Sequence, residues 1–132
     1  MSYGVAAALQ AAIYQRLTAA TALTGVPVLD AVPPGAGTGT FVLIGPEDVA
    51  DQSDKTGGGA EHRLLISVVS DGAGFQEAKT VAVAISDALI DAQLVLGRGR
   101  LVGLRFVKAQ ARRRDEGRVR RIDLTFRARV ED

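Results

Sequence analysis

Three aspartates recur at every third position, Asp48, Asp51 and Asp54, and carboxylate oxygens are the ligands that calcium and magnesium prefer. A calcium loop of the EF-hand type also needs further oxygen ligands and a bidentate glutamate at its end, and this segment lacks both. The spacing therefore favours a solvated acidic loop over a cation site.

The single histidine, His62, lies between Glu61 and Arg63, and the chain has no second histidine or cysteine with which to complete a metal site. A lone histidine in such a polar setting is most often an ordinary side chain at the entrance of a strand. No nucleophile with a base, and no pair of carboxylates, has a recognisable spacing. The sequence therefore predicts no enzyme, no metal site and no cofactor.

A glycine-rich stretch at residues 33–40 superficially resembles a phosphate-binding loop. Such a loop needs an apolar strand directly before it and a lysine followed by serine or threonine, and both are missing here. We interpret the stretch as a flexible connector.

Six arginines lie close together near the end of the chain: Arg112, Arg113, Arg114, Arg118, Arg120 and Arg121. This much charge predicts contacts within the fold or with another subunit, or alternatively nucleic-acid binding through the hairpin 112–121. Nucleic-acid binding is disfavoured because the cluster has no aromatic residue for base stacking and the whole chain carries a net charge of only +1.

The charge is unevenly distributed along the chain. Residues 1–46 are neutral, residues 47–97 hold three bases and nine acids for a net −6, and residues 98–132 hold twelve bases and five acids for a net +7. The acidic residues of the middle and the basic residues of the end can form ion pairs within one fold or between two copies of it. The sequence leaves both possibilities open.

The arginines are predicted to lie at the end of a long antiparallel hairpin over residues 100–130 that turns at Asp115–Gly117. From residue 121 to 130 apolar and polar residues alternate strictly, which is the pattern of a strand with one buried face. In the first strand the apolar positions change parity at Phe106 and Val107, which predicts a β-bulge.

Apolar residues at helical spacing predict two helices, over residues 2–22 and 75–91. Arg16 is the only charged residue of the first helix. That helix is therefore either covered on more than one side, by the sheet and a neighbouring subunit, or small and half exposed. In the second helix Val83 and Ile90 lie off the apolar stripe and are candidates for contacts outside the monomer.

A polar segment at residues 47–59 separates a short apolar strand, residues 41–44, from the strand that begins at residue 60. It is too long for a tight turn. The segment is interpreted either as a disordered surface loop or as a loop that docks on a partner through Asp48, Asp51, Asp54 and Lys55.

The order of these elements predicts one α+β domain over residues 1–132, with an antiparallel sheet of about four strands, two helices packed on it and a long C-terminal hairpin. No apolar run approaches the roughly 18 residues that a membrane span needs, and the start lacks the basic region of a signal peptide. We expect a soluble protein, cytoplasmic before any assembly and without a membrane partner.

Four segments together resemble a known family. They are residues 31–35 before a short apolar strand, residues 56–63 entering the next strand, Glu77-Ala78-Lys79 in a helix, and residues 101–106 opening the last hairpin. The combination is similar to the tail-completion proteins of long-tailed phages and gene transfer agents, and more narrowly to the tail terminator family grouped under the domain of unknown function 3168.

The resemblance spans nearly the whole chain, and its motifs are structural. It implies an α+β subunit of a ring, typically hexameric, that caps the tail tube, stops its growth and joins it to a head-side connector or stopper protein. It also implies a location at the junction of tail and head, with DNA passing through the channel without specific binding. In such a ring the six arginines would be subunit or channel contacts.

Overall fold

The computed structural model describes residues 2–31, 39–52, 58–72 and 74–132. The chain forms two helices, α1 (Ala6–Ala19) and α2 (Gln76–Leu89). The strands are β1 (Val28–Leu29), β2 (Thr40–Asp51), β3 (Gly59–Ser70), β4 (Arg100–Arg114) and β5 (Val119–Glu131). Short 3-10 turns lie at Ser2–Val5, Thr21–Leu23 and Asp115–Gly117.

The strands form one sheet in the order β1-β2-β3-β5-β4. All neighbouring strands are antiparallel except β1 and β2, which are parallel. The predicted α+β class, the two helices and the C-terminal hairpin are confirmed. The sheet has five strands where about four were predicted; the additional strand is β1, whose two residues are too few to show a periodic pattern.

The C-terminal hairpin is paired along its whole length, from Arg100 opposite Glu131 to Arg114 opposite Val119. Its end turns at Glu116 and Gly117, which have φ angles of 58° and 86°. The register shifts between Phe106 and Lys108, so the bulge lies where the change of parity predicts it. A second shift, between Leu101 and Gly103, was not predicted.

Both helices pack on one face of the sheet and form a single core with it. The buried side chains of β5 are its alternating apolar set, Ile122, Leu124, Phe126, Ala128 and Val130. The buried residues of the helices are Leu9, Ala12, Ile13 and Leu17 of α1 and Ala78, Val81, Ala82, Ile85 and Leu89 of α2. Each large side chain buried in this way contributes about 1.5–3 kcal/mol.

The only charged side chain of α1 connects the two helices. Arg16 Nε donates a hydrogen bond of 2.8 Å to the carbonyl oxygen of Ala88, in the last turn of α2. The last carbonyls of a helix have no partner within the helix, so this bond satisfies a group that the helix itself cannot. Arg16 is thereby directed toward α2.

The first helix is shorter than the predicted 2–22, because the chain passes from a 3-10 turn into α1, leaves the helix at Ala20 and forms another 3-10 turn. Threonine hydroxyls compete with the helical pattern at this end. Thr18 donates to the carbonyl oxygen of Tyr14, and Thr24 donates to that of Thr21.

The prediction that residues 47–59 form a polar loop was wrong at both ends, because β2 extends to Asp51 and β3 begins at Gly59. Strand β2 continues through Gly45 and Pro46 to Asp51, and the register shifts between Ile44 and Glu47 to accommodate them. Proline has no N–H to donate, so it interrupts the ladder without ending the strand. Asp48 and Asp51 therefore belong to β2, and Asp54 and Lys55 lie outside the described residues.

The interpretation of His62 as an ordinary polar residue at a strand entrance was also wrong. Its side chain is fully buried on the helix-covered face of β3, and Nδ1 lies 3.5 Å from Glu47 Oε2. The polar neighbours Glu61 and Arg63 point to the opposite face, because side chains alternate along a strand.

Most of the glycine-rich connector, residues 33–38, lies outside the described residues, and Thr40 at its end begins β2. Among the described helices, none has the length and apolar character required to cross a membrane.

Candidate interaction surfaces

The sheet has one face under the helices and one face that no described helix covers. The pleat places Ile122, Leu124 and Phe126 of β5 toward the helices and the residues between them on the other side. The strand register extends this division to every strand, because residues opposite each other share a face. We call the two sides the covered face and the open face.

The predicted arginine cluster is divided between these faces. Arg113 and Arg120 lie opposite each other on the covered face, and Arg112 and Arg121 lie opposite each other on the open face. Arg114 also belongs to the open face, where it lies opposite Val119, and Arg118 lies between the turn and β5. The six arginines therefore do not form one continuous surface.

The covered-face arginines surround an aromatic ring. The guanidinium carbons of Arg113 and Arg120 lie 5.4 and 5.9 Å from the centroid of Phe75, and Lys79 Nζ lies 5.9 Å from it. A cation over an aromatic ring in this way is worth about 0.5–1 kcal/mol at an exposed site. Because Phe75 directly precedes α2, these contacts hold the start of that helix against the end of the hairpin.

Two of the arginines hold parts of this chain together. Arg120 Nη1 donates to the carbonyl oxygens of Gly72 and Gly117, at 3.0 and 2.9 Å. Arg121 Nε donates to Asp123 Oδ1 at 2.8 Å and its Nη2 donates to Ser67 Oγ at 3.1 Å. Arg120 thus joins the turn of the hairpin to the segment before α2.

Asp123 is the centre of a small polar network on the open face. Burial would raise the pKa of its carboxyl group, but hydrogen bonds from Ser67 and Arg121 outweigh this effect and lower the pKa below its usual range. The bond from Ser67 Oγ to Asp123 Oδ1 is 2.6 Å long. The ionised carboxylate therefore stabilises the pairing of β3 with β5.

Four cations of β4 point outward from the open face in one line, and we call them the β4 cationic row: Arg105, Lys108, Arg112 and Arg114. None of them forms an ion pair with a carboxylate of the described residues. Sequence reasoning did not assign Arg105 and Lys108 to a site. The sequence did indicate this placement, because the predicted bulge at Phe106 and Val107 brings an odd-numbered residue, Arg105, and an even-numbered residue, Lys108, onto one face.

Several other charged side chains form ion pairs within the chain. Glu61 lies 3.5 Å from Arg63 and 3.4 Å from Arg127. Arg98 pairs with Asp132 at 2.8 Å; their hydrogen bond lowers the pKa of the Asp132 carboxyl group and raises that of Arg98. Arg100 pairs with Glu131. The acidic middle and the basic end therefore meet only in part within one copy.

The predicted acidic docking residues do not form a cation site. Asp48 lies opposite Arg63 on the open face, and Asp51 lies opposite Ala60 on the covered face. Two carboxylates on opposite faces of a strand cannot bind one ion. Within residues 2–31, 39–52, 58–72 and 74–132, no group of three or more histidine or carboxylate side chains could hold a metal.

The family model for tail completion protein gp17 matches residues 11–131, from within α1 to the end of β5. The chain belongs to the tail completion protein gp17 family. The prediction of a tail-completion protein is therefore confirmed.

A solved structure places a relative of this gp17 family member in a particle. A chain of the structure described as "Virion of native gene transfer agent (GTA) particle" is 62% identical, with a TM-score of 0.92, over 99% of this chain and 100% of that chain. A comparison with curated proteins found no match. Together, the family and the solved relative support a virion structural role.

Proposed function

We propose that this gp17 family member forms a ring of six copies that caps the tail tube of a phage-like particle, ends its growth and joins it to the head-side connector or stopper protein. The observation that carries the proposal is the 62% identity, over 99% of the chain, with a chain of a gene transfer agent virion. Similarity of this extent supports the same subunit fold and a structural place in such a particle. The role is structural, at the junction of tail and head, and involves no catalysis.

The geometry of the sheet supports a ring. A ring made by one repeated head-to-tail contact needs two different, complementary surfaces on each copy. One edge of this sheet carries the β4 cationic row; toward the other edge, β2 carries Glu47, Asp48 and Asp51 beyond the two residues that β1 covers. The two edges differ in charge, as such a contact requires.

The β2–β3 hairpin is the proposed docking arm toward the tail tube or the connector. Asp48 and Asp51 lie on its β2 strand, with Asp51 at the last residue of that strand. Asp54 and Lys55 follow in the sequence and complete the proposed set. Asp48 and Asp51 lie on opposite faces, so the docking partner and the next copy in the ring would meet different faces of the arm.

DNA is proposed to pass through the ring without specific binding. The β4 cationic row contains no aromatic side chain, so its contacts would be with phosphates and would weaken as salt rises. The same property weighs against the alternative function, nucleic-acid binding through the hairpin 112–121. Arg120 and Arg121 of that hairpin already hold Gly72, Gly117 and Asp123.

The proposal is tested by deleting the gene from a producing strain and restoring it on a plasmid. Without the protein we expect tails of irregular length that are not joined to heads, and restored uniform tails with the wild-type gene. Electron micrographs of purified particles provide tail lengths and the fraction joined. Uniform, head-joined tails in the deletion strain would contradict the proposed function.

A further inference from the structure

The molecule exposes apolar side chains at one lateral edge, between α2 and β4. A groove of about 370 Å³ is lined there by Val83 of α2 and by Phe106, Ala109 and Ala111 on the covered face of β4. Val83 is 59% exposed and Phe106 is 43% exposed. We call this side the α2/β4 edge.

The opposite lateral edge exposes a second, partly apolar surface, where α1 lies beside β1 and β2. A groove of about 550 Å³ is lined there by apolar side chains, Ala7, Ala11 and Tyr14 of α1 and Val28 and Leu29 of β1, and by the polar residues Gln10, Gln15 and Asp30. Tyr14 is 46% exposed. The one charged side chain of α1 is bonded to α2, so the helix brings no charge to this side, which we call the α1/β2 edge.

The two edges carry opposite charges at the same level of the open face. One cross-strand row runs from edge to edge through Asp48, Arg63, Arg127 and Arg105. The two inner arginines share Glu61. Asp48 and Arg105, at the two ends of the row, form no ion pair with any residue of the described chain.

From these observations we infer that copies of this chain join side by side, with the α2/β4 edge of one copy against the α1/β2 edge of the next. Arg105 pairs with Asp48 of the next copy, and the groove at Val83 and Phe106 receives the α1 face that carries Tyr14. This inference rests on the proposed ring and names the surfaces that build it.

The equal height of Asp48 and Arg105 in the sheet matters because of the symmetry of a ring. Copies in a ring are related by rotation about its axis, so a row that crosses one sheet continues at the same height in the next copy when the strands run along that axis. The end of one row at Arg105 then meets the start of the next row at Asp48. An exposed ion pair contributes little affinity alone, so the apolar surfaces supply most of the attraction and the charges set the alignment.

Side chains, and not a continued ladder of backbone hydrogen bonds, make this contact. Strand β4 has bulges at Val102 and Val107, and bulges on an edge strand oppose pairing with a further strand. On the other side, β1 already pairs with Val42 and Leu43 of β2. Beyond these two residues, the irregularity at Gly45 and Pro46 interrupts the outer edge of β2, because proline has no N–H to donate.

The test is an exchange of charges between the two edges. Asp48→Arg and Arg105→Asp are each expected to lower the assembled fraction about tenfold at low salt, because the repulsion repeats at every contact of the ring. The double variant restores assembly to within about twofold of the wild type, since the pair is re-formed in reverse. Asp87→Arg, in the cleft between the helices, is the matched control and leaves assembly unchanged.

Two readouts cover both possible routes of assembly. Sedimentation velocity measures rings formed by the purified protein, and the fraction of head-joined tails in the complemented deletion strain measures rings formed on the tube. Single variants that assemble like the wild type in both readouts, or a double variant no better than either single one, would overturn the inference.

The apolar part of the contact has its own matched pair of variants. Tyr14→Ser removes an aromatic ring from the α1/β2 edge and is expected to lower assembly, whereas Tyr3→Ser, at a tyrosine that is 58% exposed outside this groove, is expected to leave it unchanged. Equal effects of the two substitutions would contradict a role for the α1 face.

Failure of this inference is distinguishable from failure of the proposed function. If the deletion strain has defective tails and every charge and tyrosine variant restores normal tails, the proposed function stands and these surfaces are excluded as the contact between copies. A deletion strain with normal tails would exclude the function itself.

Discussion

Strands β4 and β5 are two halves of one hairpin, yet they differ in almost every property. On the covered face, β5 buries five apolar side chains in regular alternation, whereas β4 is exposed at every residue after Leu104. Strand β5 lies between β3 and β4, but β4 is the last strand of the sheet and pairs only with β5. Position in the sheet, and not pairing in the hairpin, decides what each strand contributes.

The same comparison separates stability from function. The side chains of β5 close the core, so changes there should unfold the domain. The β4 side chains beyond Leu104 have few contacts within the chain, so changes there should affect contacts with other molecules. Phe126 and Phe106 test this division directly, because they lie opposite each other with ring centroids 5.9 Å apart at an interplanar angle of 74°.

The largest expected effect is that of Phe126→Ala. The ring is fully buried, and its removal leaves a cavity in the core, so we expect a loss of about 3–5 kcal/mol in the free energy of unfolding. Phe106→Ala removes the edge-to-face contact and a half-exposed ring, and we expect it to lower the free energy of unfolding by about 1 kcal/mol. Urea unfolding followed by circular dichroism measures both, and equal losses would contradict the division between the strands.

A smaller effect is expected from Asp123→Asn, on the open face of β5. A hydrogen bond to a charged group contributes about 1.5–3 kcal/mol, and the amide keeps part of the network, so we expect a loss of about 1.5 kcal/mol at pH 7. The folded-state pKa of Asp123 is lowered, so its contribution is present above the unfolded pKa of about 3.9 and is lost as pH falls through the folded value.

The stability difference between the wild type and Asp123→Asn should therefore narrow as pH falls below about 4. Urea unfolding at pH 7, 5, 4 and 3 measures this trend. Asp132→Asn is the control, because its carboxylate pairs with Arg98 in an exposed position and should contribute little. A difference that is constant with pH would show that the charge of Asp123 does not matter.

The C-terminal hairpin could be predicted in detail because its signals are local. Strict alternation after residue 121 identified β5, and the change of parity at Phe106 and Val107 located the bulge. The extension of β2 could not be predicted in the same way. Gly45 and Pro46 are typical of a strand end, and only pairing with β3, distant in sequence, makes them a bulge.

The candidate surfaces were predictable only in part. The six arginines were found from composition, but their division between two faces depends on the register, which also adds Arg105 and Lys108 to the open face. The burial of His62 had no local signal, because it results from the helices that pack over β3. The two apolar edges depend on which strands end the sheet, and the sheet order cannot be read from the strand patterns alone.

The central claim is that this gp17 family member acts as a ring at the junction of tail and head. A cryo-electron microscopy reconstruction of intact particles that contain the protein tests it most directly. The account predicts six copies in a closed ring between the tail tube and the head-side connector, with the α2/β4 edge of each copy against the α1/β2 edge of the next. Single copies scattered along the particle, or a ring at the far tip of the tail, would contradict it.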